Sequence, residues 1–330
     1  MKFGILQFFS WPDRRVALPT VYERALQRIE IMDTAGYDAV WLTEHHFNDY
    51  SVCPSIPVMG AYAAARTKRL HIATGVTLAA FYHPLRLAEE IALLDILSGG
   101  RVYWGAGRGF DPREFRTFGM TPEESYPRFR EAVDVVLSAW RNQRLTYHGK
   151  YFSCEDIEVL PKPLQQPHPP MWVAASTPPA VQWAAEQGYS IMLDPHSPSS
   201  AIGEKMDLYR RVLAQHGHRV EGRVIPTVRL VAIAPTDAEA AEMAREGAKW
   251  MLRTYVNPTG ERGDSATMVQ RYVDSMVIHG TAPRVVDKIA RLREEIALDY
   301  MIVAPLGHQT FLSFTDEVLP KLATAEPAIT

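Results

Sequence analysis

Short, nearly uninterrupted apolar runs alternate with longer amphipathic stretches along the whole chain, and few folds accept that pattern. The apolar runs read as strands over 2–7, 38–43, 70–78, 101–106, 171–175, 189–194, 225–233 and 299–304. Runs such as Ala39-Val40-Trp41-Leu42 and Tyr300-Met301-Ile302-Val303-Ala304 lack polar alternation, as strands covered on both faces do. Between them the spacing predicts helices. The first is expected to open on a capping box at Thr20-Val21-Tyr22-Glu23 and to carry the stripe Ala25, Ile29, Met32. Others fall over 56–66, 85–97, 122–140, 179–187, 201–216, 238–250 and 283–296, several with proline in the first turn, as at Pro122 and Pro283. Eight strands alternating with about eight helices over 330 residues are what a (β/α)8 TIM barrel requires. A single barrel domain over 1–330 is therefore expected, in preference to a doubly wound sheet, whose strand order periodicity does not reveal.

Two stretches break the alternation and read as insertions. Residues 145–152 look like a hairpin around Gly149, followed by a proline-rich linker to Pro170. Residues 256–274 are polar and turn-rich, which suits either a lid or a plain surface loop. The rest of the composition narrows the partners. Hydrophobic residues make up 47% and charged residues 22%, the proportions of an ordinary globular protein. A net charge of −3 without a basic run argues against nucleic acid or an anionic membrane surface. No apolar run approaches about 18 residues, the length of a membrane span, and the N-terminus has no signal-peptide character. The only two cysteines, Cys53 and Cys154, cannot build a disulfide framework or a cysteine zinc site. A cytoplasmic protein acting on a small molecule is the expectation.

In a barrel the chemistry sits just after the strands, at their C-terminal ends. There the chain offers Glu44-His45-His46, His83, Gly105-Ala106-Gly107-Arg108-Gly109, Ser176-Thr177-Pro178-Pro179, Asp194-Pro195-His196 and His308. Glu44-His45-His46 permits two chemistries. One is a metal site completed by His83, which no spaced ligand motif supports. The other is an acid/base histidine oriented by a carboxylate, for which imidazole is suited by its titration near neutral pH. A structural, hydrogen-bonded histidine is the default for either ring alone. The glycines around Arg108 let a ligand approach the backbone, and the arginine offers a fork to phosphate. They do not form a dinucleotide fingerprint. Ser176 and Thr177 precede a helix and present hydroxyls and backbone N–H groups to an anion, or merely cap the helix. Together the two features suggest a phosphate-bearing cofactor. No G-x-S-x-G elbow or activated cysteine supports a nucleophilic mechanism.

The segments Trp41-Leu42-Thr43-Glu44-His45-His46-Phe47, His83-Pro84-Leu85-Arg86, Leu93 to Arg101, Gly107-Arg108-Gly109 and Trp183 to Gly188 resemble, in this order, bacterial luciferase and its flavin-dependent relatives. The likeness runs from Met1 to about Asp194 and resumes at Gly280-Thr281-Ala282-Pro283. It implies a (β/α)8 barrel, a homodimer, and reduced FMN supplied by a separate NAD(P)H:flavin reductase. Dioxygen would add to the flavin to give a C4a-(hydro)peroxyflavin that oxidises a small organic substrate. By motif position the resemblance makes His45, beside Glu44, the catalytic histidine, and Arg108 a flavin-phosphate ligand. It places Ser176 and Thr177 in the phosphate loop, Gly75-Val76 at a non-prolyl cis peptide under the flavin ring, and Gly107 beside the flavin. The chain departs from luciferase in three places. Gly107 replaces a cysteine, which bears on light emission; a second phosphate arginine is missing near Ser125-Tyr126, with Arg128 and Arg130 a little beyond; and the Ser176–Trp183 spacing is about one residue longer. Two alternatives share the resemblance: a deazaflavin (F420)-dependent oxidoreductase, and a non-catalytic flavin-binding subunit, which would have no need of His45.

Overall fold

The computed structural model describes residues 1–256 and 265–323. It divides into two compact units, Gln7–Ala174 and a discontinuous one made of Met1–Leu6 with Ala175–Thr330. Among the described residues no helix is long and apolar enough to cross a membrane.

In the Gln7–Ala174 unit, strands Ala39–Leu42, His71–Thr74, Val102–Gly107 and Met171–Ala174 pair in parallel in that order, with Ala39 opposite His71, Ile72 opposite Val102 and Trp104 opposite Met171. All residues of Ala39–Leu42 and Val102–Gly107 are buried, which explains their unbroken apolar character. Trp41, Tyr103 and Trp172 meet edge to face or tilted, with ring centres 5.3–6.4 Å apart, and fill the core beside the sheet. Helices Leu18–Ala35, Ile56–Arg66, Pro84–Ser98 and Pro122–Arg141 connect the strands. The hairpin expected after the last of these is Leu145–His148 with Ser153–Ile157.

In the other unit Lys2 to Ile5 pair in parallel with Tyr300 to Val303 of strand Tyr300–Pro305, which pairs with Thr227–Ile233, which in turn pairs with Val277–Gly280. Helices Pro178–Glu186, Ser199–Gln215, Asp237–Met251, Ala266–Met276 and Ala282–Ile296 and the short strand Ile191–Met192 belong to it, as do the helical segments from His308 to Leu322.

Three local expectations are corrected. The first helix starts at Leu18 after an uncapped Ala17, so the Thr20 box is not its beginning; Pro19 in the first turn, with its φ already helical, starts the helix earlier. Capping boxes form instead at Thr121–Glu124 and Thr236–Glu239. The long strand expected over 70–78 is interrupted, because a cis peptide joins Gly75 and Val76 and leaves His71–Thr74 and Thr77–Leu78 as separate strands. Residues 257–264 of the candidate lid lie outside the described residues, while Ala266–Met276 is a helix capped by Ser265 and leads into a strand, Val277–Gly280, that four residues were too few to announce.

Candidate active site

The strand Ala39–Leu42 delivers Thr43-Glu44-His45-His46 into the interior of its unit, where Glu44 is 1% and His45 7% exposed. The two histidines take separate carboxylates. His46 Nε2 lies 3.1 Å from Glu44 Oε1, and Glu44 Oε2 accepts from the Tyr82 hydroxyl at 3.1 Å and the Leu78 N–H at 3.4 Å. Burial raises the Glu44 carboxyl above its usual range, against the pull of His46 and these donors. Burial together with the Glu44 charge also pushes the Tyr82 phenol upward, keeping it a donor.

His45 faces different partners. Its Nδ1 is 2.7 Å from the Tyr50 hydroxyl and 3.4 Å from Glu114 Oε1, and Glu114 Oε1 also accepts the His46 backbone N–H at 2.9 Å. Phe8 stacks parallel to the ring at 6.4 Å and Phe110 meets it edge-on at 6.1 Å. Burial lowers the imidazole below its ordinary titration range, only partly offset by the Glu114 carboxylate, so the ring is neutral near pH 7. Both histidines line a cavity of about 670 Å³, with Trp11, Tyr22 and Phe47 supplying aromatic walls and Arg113 a cation. That volume suits a small organic molecule.

Glu114 and Tyr50 were missed from the sequence. Asp111-Pro112-Arg113-Glu114 has the form of a capping box, and Asp111 does accept the Arg113 N–H at 2.7 Å. Glu114, however, turns inward with no exposure, leaving Arg113 to donate to the Phe47 carbonyl at 2.8 Å. The signal available was an acid one helical turn after a glycine-rich strand end. His83 does not join the histidines: it precedes helix Pro84–Ser98 and sets its ring edge-on to Phe152 at 5.8 Å. Among the described residues no three His, Cys, Asp or Glu groups converge to hold a metal. Cys53 is buried, its thiol pushed up to about 12, which makes it a poor nucleophile.

A cis peptide joins Gly75 and Val76 in the same unit, at the position that the resemblance marked. Thr74 and Thr77, on either side of the cis Gly75-Val76 peptide, both donate to the Gly105 carbonyl, at 2.6 and 3.1 Å. A Cβ on Gly105 would lie 2.1 Å from the Thr74 carbonyl oxygen, and one on Gly107 would lie 2.3 Å from Val76 Cγ2. A side chain at position 107 would therefore collide with Val76. Gly107→Ala is expected to destabilise the fold by about 1–3 kcal/mol through overpacking. In the Val76→Ala background the same change should cost much less. Urea unfolding of the double-mutant cycle checks this, and additive effects would contradict it.

Arg108 follows Gly107, half-buried. Its Nη1 donates to Ser125 Oγ at 2.8 Å, and its guanidinium lies 4.2 Å from the Tyr126 ring centre and 5.6 Å from that of Phe115. It forms no ion pair among the described residues. A half-buried guanidinium held by neutral groups, with most of its N–H donors unused by them, fits a phosphate. Of the two candidate second arginines, Arg128 is tied to the Ala80 carbonyl at 3.0 Å, and Arg130 lies 6.0 Å from the Tyr126 ring.

Ser176 and Thr177 belong to the other unit, immediately before helix Pro178–Glu186. The backbone donors expected at that helix start are fewer than foreseen. Pro178 and Pro179 carry no N–H, and the Ala180 and Val181 N–H groups both bond the Thr177 carbonyl. Thr177 caps no N–H with its side chain, so the donors of this segment are the Ser176 and Thr177 hydroxyls and their own backbone N–H groups.

A profile of the luciferase-like monooxygenase family matches residues 1–299, and the chain belongs to that family. Its fold class is accordingly the mixed α/β, luciferase-like TIM barrel. A protein of Sinorhizobium fredii named y4wF is 36% identical over 64% of this chain and 60% of its own length, so the chain spans well under two thirds of that relative. The oxygenase component of the flavin-dependent trigonelline monooxygenase of Acinetobacter baylyi is 28% identical, over 74% of this chain and 69% of its own. Monooxygenase RslO1 from Streptomyces bottropensis superposes with a TM-score of 0.86 at 29% identity, covering 98% of this chain and 100% of its own. Two proteins 20% identical to this chain share the fold. The oxygenating constituent of 3,6-diketocamphane monooxygenase of Pseudomonas putida, solved with FMN, has a TM-score of 0.81 and is matched over 99% of its length. The coenzyme F420-dependent tetrahydromethanopterin reductase of Methanopyrus kandleri has a TM-score of 0.78, also over 99% of its length. In both cases 98% of this chain is covered.

Proposed function

We propose that the protein is an oxidoreductase: the oxygenase of a two-component, FMN-dependent monooxygenase that oxidises a small organic substrate in the cytoplasm. The observation that carries this reading is the neutral, buried His45 on a substrate-sized cavity, in the same unit as the Gly75-Val76 cis peptide and the unpaired Arg108. Reduced FMN, when bound, supplies the electrons that activate dioxygen. Arg108 would hold its phosphate; Gly105 and Gly107 leave room for the Thr74 carbonyl and the Val76 side chain to pack against their strand. Ser176 and Thr177 offer hydroxyls to an anion in their own unit. His45 takes a proton from the substrate or returns one, and Glu44 orients His46 beside it. Glu44 and His45 are themselves buried, which limits the water in contact with their polar atoms. A reductase partner is supported by the trigonelline relative, named as the oxygenase component of its system. A purely supporting subunit would have no use for the built surroundings of His45.

Equilibrium titration of the purified protein with FMNH2 and with reduced F420, both under argon, tests the cofactor. Saturable binding of FMNH2 with weaker or no binding of F420 is expected; the reverse order would overturn the FMN assignment.

A homodimer is part of the same proposal. Val58 and Tyr62 on helix Ile56–Arg66, and Leu93, Ile96 and Leu97 on helix Pro84–Ser98, are 42–72% exposed, a concentration of large apolar side chains on neighbouring helices. Light scattering after gel filtration is expected to give twice the 37.2 kDa chain mass for the parent and the chain mass for Leu97→Arg. A monomeric parent would remove the dimer.

A further inference from the structure

Resting on the reading of His45 as the acid/base group, we infer that Glu114 and Tyr50 are positioning residues that decide which ring nitrogen of His45 carries the proton. Both converge on Nδ1, at 3.4 and 2.7 Å. They differ in what they can do there. An ionised carboxylate only accepts, whereas a phenol donates or accepts. Glu114 therefore favours a proton on Nδ1, which leaves the Nε2 lone pair as a base. Tyr50 can receive that Nδ1–H through its oxygen, or donate to a bare Nδ1 when the proton sits on Nε2. The hydroxyl thus keeps a hydrogen bond in either tautomer, and the ring need not turn between acting as base and acting as acid.

The burial of Glu114 supports a purpose beyond local anchoring. Its carboxyl has no exposure, and Oε2 has no hydrogen-bond partner among the described residues. An isolated buried carboxylate is costly unless a positive group can form next to it. The His45 ring lies 3.4 Å from its bonded oxygen and becomes that positive group when Nε2 gains a proton. Proton balance is simple: one proton enters at Nε2, the Nδ1–H stays toward Glu114 and Tyr50, and the same count leaves when the ring discharges. The other charged groups facing the ring are His46, which opposes its protonation, and Asp111, which favours it; Phe8 and Phe110 add only apolar surface.

Glu114→Gln separates charge from anchoring, because the amide oxygen can still accept the His46 N–H. The experiment uses the cofactor-free full chain with 13C/15N-labelled histidine, following the ring nitrogens by NMR against pH. His45 is assigned by the signal lost in His45→Gln. In Glu114→Gln the His45 titration is expected to move down by about one pH unit, with the ring shifting toward the Nε2–H tautomer. In Tyr50→Phe the tautomer balance is expected to move toward Nδ1–H, and Glu114→Asp should restore part of the parental titration. Titration and tautomer unchanged in both Glu114→Gln and Tyr50→Phe would overturn the inference. If Glu114→Gln does not fold, an unchanged tautomer balance in Tyr50→Phe overturns it alone. Should the NMR titration move as expected while the pH profile of turnover stays put, the positioning role stands and the catalytic reading of His45 falls.

Discussion

His45→Ala is expected to lower product formation by about 10²–10⁴-fold, the usual contribution of a positioned acid/base group, while FMN affinity stays close to the parental value. The asymmetry follows from where the ring sits. Its contacts include Tyr50, Glu114, Phe8 and Phe110, and neither Arg108 nor Gly75 nor Val76 is among these four. The ring is neutral near pH 7 because burial outweighs the adjacent carboxylate, so it can accept a proton at working pH. As pH falls through its lowered titration point that capacity is lost, and turnover should decline on the acid side. His45→Gln, of similar size, controls for the space left behind. Product is measured with a panel of small aldehydes, ketones and nitrogen heterocycles. Turnover unchanged in His45→Ala would remove this residue from the mechanism.

Arg108→Ala is expected to act on the other term. A hydrogen bond from a guanidinium to an anion is worth about 1.5–3 kcal/mol, which corresponds to a loss of roughly 10–150-fold in FMN affinity. The guanidinium already has an oriented position, with Ser125 Oγ accepting from Nη1 and Tyr126 beneath it, so little ordering is required when a phosphate arrives. The discriminating control is riboflavin, which lacks the phosphate: its affinity should be the same in parent and variant. Equal losses for FMN and riboflavin would mean that Arg108 supports the fold and does not read the phosphate. Lys in place of Arg should recover only part of the affinity, because an ammonium keeps the charge but loses the planar fork.

The period of the apolar runs was enough to place most of the parallel strands, though not Val277–Gly280, because residues buried on both faces of a parallel strand leave an apolar signature, unbroken in Val102–Gly107. It failed where backbone geometry outranks composition. Nothing in the apolar run over 70–78 distinguishes a continuous strand from two separated by the Gly75-Val76 peptide; that position was marked only through the family resemblance. Pro19 and the Thr20 box compete for the same helix start, and the proline in the first turn prevails. Site residues were legible where they occupy strand ends, as Glu44, His45, Gly107 and Arg108 do. Glu114 and Tyr50 lie 69 and 5 residues from His45 in the chain, on a short helix and a loop whose inward direction comes from tertiary packing. An acid in a capping-box pattern looks like a surface cap until its exposure is known. Likewise Pro178-Pro179 should have warned that the helix after Thr177 lacks its first N–H donors.

The central claim is that this chain governs the reaction of reduced flavin with dioxygen, and stopped-flow mixing tests it without knowledge of the substrate. The protein is loaded anaerobically with photoreduced FMN, mixed with oxygenated buffer, and followed in the near ultraviolet and at the oxidised-flavin band. The account predicts a spectral phase absent from free flavin, with oxidised FMN appearing more slowly than in buffer. Reoxidation at the free-flavin rate, with no additional phase, at a protein concentration shown by titration to bind all the flavin, would contradict it.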